Sequence, residues 1–103
     1  MNRVAALTLS LGLFASSAMA GHHDEEIINS GSDLEHWCKE ESEATLIGRG
    51  LMPFNWTASY WDKVDTLMLK GQWRTNSTNF IVECSVARGA SAKLASLSIQ
   101  DSQ

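Results

Sequence analysis

Residues 78–87 read Thr-Asn-Phe-Ile-Val-Glu-Cys-Ser-Val-Ala. Phe80, Val82, Cys84 and Val86 fall on one side of an extended chain, and Asn79, Ile81, Glu83 and Ser85 on the other. That period of two is the pattern of a strand with one covered and one open face. Upstream, Thr66 to Thr75 alternates in the same way, with Leu67, Leu69, Gly71 and Trp73 sharing a face. Asn76-Ser77 lies between the two segments and reads as a hairpin turn. Trp56 to Trp61 supplies an earlier strand with Trp56, Ala58 and Tyr60 on one face. It is joined to the next by a turn at Asp62-Lys63 or Lys63-Val64-Asp65. Arg88-Gly89-Ala90-Ser91 breaks the pattern. Lys93 to Ile99 resumes it, setting Leu94, Ser96 and Ser98 opposite Ala95, Leu97 and Ile99.

Before these strands the periodicity is helical. Ser32-Asp33-Leu34-Glu35 reads as a capping box, with its acidic residues suited to the positive end of a helix dipole. A helix is expected from Asp33 to Ile47, with Leu34, Trp37, Cys38, Glu41, Ala44, Thr45 and Gly48 on one stripe. Gly48 and Gly50 end it. Pro53, the only proline, holds Met52 extended in the apolar link that follows. One helix ahead of an antiparallel meander predicts an α+β fold: an N-terminal helix packed on a three- to four-stranded antiparallel sheet. Cys38 on the helix stripe and Cys84 on the apolar side of a strand meet across that interface, so a helix–strand disulfide is expected. Closing a loop of about 45 residues is worth about 4 kcal/mol on the chain-entropy model.

The compartment that permits such a bond is written at the start of the chain. Residues 1–20 read as a cleavable signal peptide: Arg3 beside the amino terminus, an apolar run from Val4 to Ala15, and an Ala18-Met19-Ala20 cleavage site. The run is too short to span a bilayer, which takes roughly 20 apolar residues. No membrane span is expected in the mature chain. Residues 21–31 are polar and read as a flexible acidic arm, and residues 32–103 as a single small α+β domain. A periplasmic or secreted location follows, and an oxidising compartment favours pairing of the only two cysteines.

Charge narrows the partners. Asp24, Glu25, Glu26, Asp33, Glu35, Glu40, Glu41 and Glu43 face a single cation, Lys39, over the same stretch, and the chain carries a formal net charge of −4. Nucleic-acid binding depends on clustered Lys and Arg, so it is not expected. Another envelope protein or a small ligand is the expected partner.

Three groups of residues carry the functional readings. Cleavage after Ala20 exposes Gly21-His22-His23, in which the free amine, two backbone amides and the His23 imidazole can wrap a square-planar Cu(II) or Ni(II) ion. The tripeptide resembles the amino-terminal copper- and nickel-binding motif of some secreted proteins. Glu41 stands on the apolar stripe, where burial of a carboxylate calls for a partner, and Arg74 or Arg88 is the expected cation of a buried ion pair. The aromatic load of so short a chain suggests a binding surface at Trp56, Tyr60, Trp61 and Trp73. Nucleophilic catalysis finds little footing: no serine has a glycine-elbow context, and the cysteines are expected to be bonded to each other. Glu41 and His36 are a weak acid–base pair. The residues therefore read as a small exported, non-enzymatic binding or accessory protein. A copper- or nickel-binding protein is the alternative, and a small envelope enzyme the third. Adding Cu(II) to the processed protein with Gly21 free is expected to give a visible d–d absorption band that His23→Ala abolishes. An unchanged spectrum removes the metal reading.

Overall fold

The computed structural model describes residues 25–102. The signal segment and Gly21, His22 and His23 lie outside the described residues. Among the described residues the elements follow in the order β1 (Ile27–Ile28), α1 (Gly31–Gly48), β2 (Phe54–Lys63), β3 (Thr66–Arg74), β4 (Phe80–Ala87), β5 (Ala90–Ser91) and β6 (Ser96–Asp101). A 3-10 turn at Ala92–Leu94 precedes β6. The four long strands form one antiparallel sheet in the order β2-β3-β4-β6, and β1 pairs with β5 in a small second sheet. The α+β expectation holds, with the one α-helix among the described residues laid on one face of the larger sheet.

The helix begins two residues earlier than its sequence signature suggests. Ser30 has extended φ and ψ of −147° and 165°, and its hydroxyl accepts the Asp33 N–H at 3.1 Å. Asp33 reaches back in turn to accept the Asn29 N–H at 3.0 Å. Ser30 and Asp33, three apart, therefore do the work expected of Ser32 and Glu35. Gly31, already helical, lies against the Tyr60 ring, and a Cβ there would overlap it. At the other end the Leu51 N–H bonds to the Leu46 carbonyl and the Gly50 N–H to that of Ile47. Gly50, at φ 86°, supplies the left-handed residue that this Schellman ending requires.

Leu34, Trp37, Cys38, Ser42 and Leu46 form the buried face of α1. They meet Leu67, Leu69 and Trp73 of β3 and Phe80, Val82, Cys84 and Val86 of β4. Cys38 and Cys84 are joined, with Cα atoms 6.3 Å apart. The stripe runs through Ser42 and Leu46 in steps of four, so Ala44, Thr45 and Gly48 are exposed and Glu41 is only partly buried. Ser42 can be fully buried because its hydroxyl is satisfied as both donor and acceptor. Its hydroxyl donates to the Cys38 carbonyl at 2.7 Å and accepts the Trp73 indole N–H at 2.9 Å.

Part of the segment expected to be a flexible arm is packed on the domain. Ile28 is fully buried, and Ile27 and Ile28 pair with Ser91 and Ala90. The Gly89 N–H bonds to the Ile28 carbonyl and the Ala92 N–H to that of Glu26, both at 2.7 Å. Two isoleucines among acidic residues suffice to bring this segment onto the domain, so packed structure starts before Ser32. The last strand is displaced too, beginning at Ser96 because Ala92–Leu94 closes into the 3-10 turn.

Lys63 pairs with Thr66, leaving Val64 and Asp65 as a two-residue hairpin turn. Val64 has φ 59° and is 89% exposed. A β-branched side chain is strained in that backbone conformation, which hairpins usually give to Gly. Val64→Gly is expected to stabilise the fold by about 1 kcal/mol, or roughly 4–8 °C in the thermal midpoint of a domain this size. Thermal unfolding followed by circular dichroism checks it.

Candidate functional site

Strand alternation delivers two surfaces of different character. On the helix side, Trp73 is 3% exposed and belongs to the core. Trp56 lies 5.0 Å from it, ring centre to ring centre, at 45°. The Trp56 ring sits directly over Gly71, where a Cβ would overlap it, and its indole N–H donates to Glu35 at 3.2 Å. These two tryptophans tie β2 and β3 to α1. Tyr60 covers Gly31 on the same side with about half its surface open.

Trp61, the next residue along β2, points to the opposite, open face and is 47% exposed. Strand register arranges that face in rows. Trp61, Met68, Ser85 and Ser96 stand side by side across the four strands. The next row is Ser59, Lys70, Glu83 and Ser98, and the one beyond is Thr57, Gln72, Ile81 and Gln100. The Ser85 and Ser96 hydroxyls are bonded to each other at 2.8 Å. A shallow depression of about 290 Å³ lies between Trp61, Met68, Glu83, Ser85, Ser96 and Ser98. A second, of about 330 Å³, is bordered by Thr57, Ser59, Lys70, Gln72 and Ile81. A third, bordered by Asn55, Trp56, Thr57, Gln72, Arg74 and Asn79, shares Thr57 and Gln72 with the second. The twist of β2 near this end comes from a bulge between Phe54 and Thr57, where Asn55 takes φ 55°.

The structure therefore divides the four nominated aromatics. Trp73 and Trp56 are packing residues, Tyr60 caps the start of the helix, and Trp61 alone stands on the open face. Its neighbours Met68, Ser59, Ser85, Ser96, Ser98, Thr57 and Gln72 were not singled out from the sequence. The signal that locates them is the alternation itself, since each occupies the polar phase of its strand.

The expected buried ion pair does not form. Glu41 is only partly buried. Arg88 instead pairs with Asp62 and donates to the Asn29 carbonyl at 3.4 Å, tying the β2–β3 end to the start of α1. Arg74 is exposed at the end of β3. The register of the helix is the cause: Ser42, one position on, takes the core place expected of Glu41. His36 is mostly exposed and contacts Glu40, one turn along the helix, at 3.2 Å.

Both cysteines are consumed by the disulfide. Among the described residues no three His, Cys, Asp or Glu side chains come together, and no helix is long and apolar enough to cross a membrane. Comparison with known proteins finds no matching family, curated protein or solved structure. Because Glu41 carries no buried pair, Glu41→Gln is expected to change stability by less than about 0.5 kcal/mol, where breaking a buried pair would cost about 3–5 kcal/mol. Urea unfolding of the two proteins measures the difference.

Proposed function

We propose that this is a small exported, non-enzymatic binding or accessory protein of the cell envelope, and that the open sheet face around Trp61 is its recognition surface. The observation that carries this reading is a half-exposed indole on the solvent side of a sheet, beside a depression bordered by hydroxyl groups. Aromatic side chains in such positions bury much area on binding at a small cost in side-chain entropy. The helix covers the other face and the disulfide locks it there, so the open face is presented by rigid strands. Rigid presentation limits the ordering cost of association. The disulfide also fits a periplasmic or secreted location, where such bonds persist.

Copper or nickel capture by Gly21, His22 and His23 is a separate reading carried by those residues alone. It does not compete with the sheet face for the same groups.

Immobilised wild-type protein is expected to retain a component of its own envelope extract, and Trp61→Ala to lose it. Leu94→Ser, which alters an exposed apolar side chain elsewhere, is expected to retain it. Equal retention by wild type and Trp61→Ala overturns the assignment of the surface.

A further inference from the structure

The open face has a composition that discriminates between classes of ligand. Ser59, Ser85, Ser96, Ser98 and Thr57 carry hydroxyls, each able to donate and to accept a hydrogen bond, and the amides of Gln72 and Gln100 do both with separate atoms. Lys70 and Glu83 stand directly opposite each other in register. Their charges offset one another at the middle of the face. Trp61 and Met68 form an apolar patch at one corner, Ile81 adds a smaller one in the third row, and half-exposed Phe54 pairs with Arg74 at the far end.

Protein partners are poorly served by this arrangement. The buried centres of protein interfaces are enriched in aromatic residues, Met and Arg and depleted in Ser, Lys and Glu, whereas serines, Lys70 and Glu83 occupy the centre here. A polyanion would need clustered cations, whereas Lys63, Lys70 and Arg74 are spread along the face in separate rows and Lys70 is matched by Glu83. An extended apolar ligand would have to cross serines, Lys70 and Glu83 between Trp61 at one end and Phe54 at the other. The ligand that matches both halves of the pattern is uncharged, rich in hydroxyls, and has a flat apolar patch on each ring.

We propose that the open face binds a neutral oligosaccharide, with Trp61 stacked on one pyranose ring and the Ser, Thr and Gln rows hydrogen-bonding its hydroxyls and those of neighbouring rings. The proposal rests on the reading of this face as the recognition surface and names the chemistry of its ligand. The three depressions give it length. The first, at about 290 Å³, lies beside Trp61, and the other two lie along the same face and share Thr57 and Gln72. Each is near the lower size limit of small-molecule sites, which suits one ring at a time and not a compact ligand held in a single cavity. The hydroxyl pair Ser85–Ser96 opens toward the first depression and can exchange its mutual bond for bonds to a sugar hydroxyl.

The test is a titration of the disulfide-bonded exported protein, isotopically labelled for amide NMR, with chitohexaose, cellohexaose and maltohexaose. The expected result is saturable shifts with at least one hexamer, confined to the Trp61 indole N–H and the amides of the three rows. Trp61→Ala is expected to weaken binding at least about tenfold, equivalent to 1.4 kcal/mol, while keeping the wild-type amide pattern elsewhere. Trp61→Phe, which keeps an aromatic face, is expected to recover part of that loss, so a general failure of folding is told apart from loss of stacking. Absence of shifts with all three sugars, shifts centred on the helix, or Trp61→Ala binding as tightly as wild type overturns the proposal. If no sugar binds but an envelope component is still retained in a Trp61-dependent way, the sugar proposal falls and the recognition surface stands. If neither depends on Trp61, both fall.

Discussion

The bond between Cys38 and Cys84 fixes where α1 lies along β4, and most of the remaining geometry depends on that placement. Once the helix is held there, Leu34 and Leu46 cover the sheet on either side of the cross-link. Ser42 comes under Trp73 and accepts its indole N–H at 2.9 Å. Trp73 in turn provides the surface against which Trp56 packs, and the Trp56 indole closes the path back to the helix through Glu35. The chain of contacts runs helix, β4, β3, β2 and back to the helix. A domain this small has limited apolar area to bury, so a covalent constraint worth about 4 kcal/mol in the unfolded state is a large part of a total stability of roughly 5–15 kcal/mol.

A single helix can cover only one face of a four-stranded sheet. The other face meets solvent, and an antiparallel sheet meets that demand by alternation, apolar residues inward and polar residues outward. Serine, threonine, glutamine, lysine and glutamate in the outward phase need no functional explanation by themselves. Trp61 does: an outward tryptophan gains nothing from the core and costs solubility. Its strand neighbour Tyr60 faces inward onto Gly31, so a slip of one residue in β2 would exchange the two rings and place a phenol where the indole now stands. The bulge between Phe54 and Thr57 and the pairing of Lys63 with Thr66 hold the register from both ends.

How much of this the residues reveal in advance depends on whether one period explains a position. The disulfide was legible because two independent patterns, 3.6 in the helix and 2 in the strand, each put a cysteine on an apolar side. The core face of β3 was equally legible, and alternation already grouped Trp73 with Leu67 and Leu69. Its nomination as a surface residue followed from tryptophan content, which says nothing about direction. Ser42 was hidden for a different reason. A serine is counted as polar, but its bond to the carbonyl one turn back satisfies it within the helix and frees it for the core. A stripe drawn through Glu41 runs one position out of register with the core, which takes Ser42 instead. Ile27 and Ile28 were masked by acidic neighbours. Their burial depends on β5, a two-residue strand too short to show a period.

Val64 shows how these levels conflict. The turn between β2 and β3 needs only two residues, and the first, Val64, is not the glycine that its backbone conformation favours. The strain is tolerated because its surroundings determine the turn from outside. The Arg88 N–H bonds to the Asp65 carbonyl at 2.8 Å, and the Arg88 side chain holds Asp62 just before the turn. The segment that follows β4, the strand beside β3, thus enforces a hairpin that its own sequence does not specify. The same hairpin sets the register that sends Trp61 outward. The orientation of Trp61 on the open face is therefore secured by contacts around Arg88 as well as by packing beneath it.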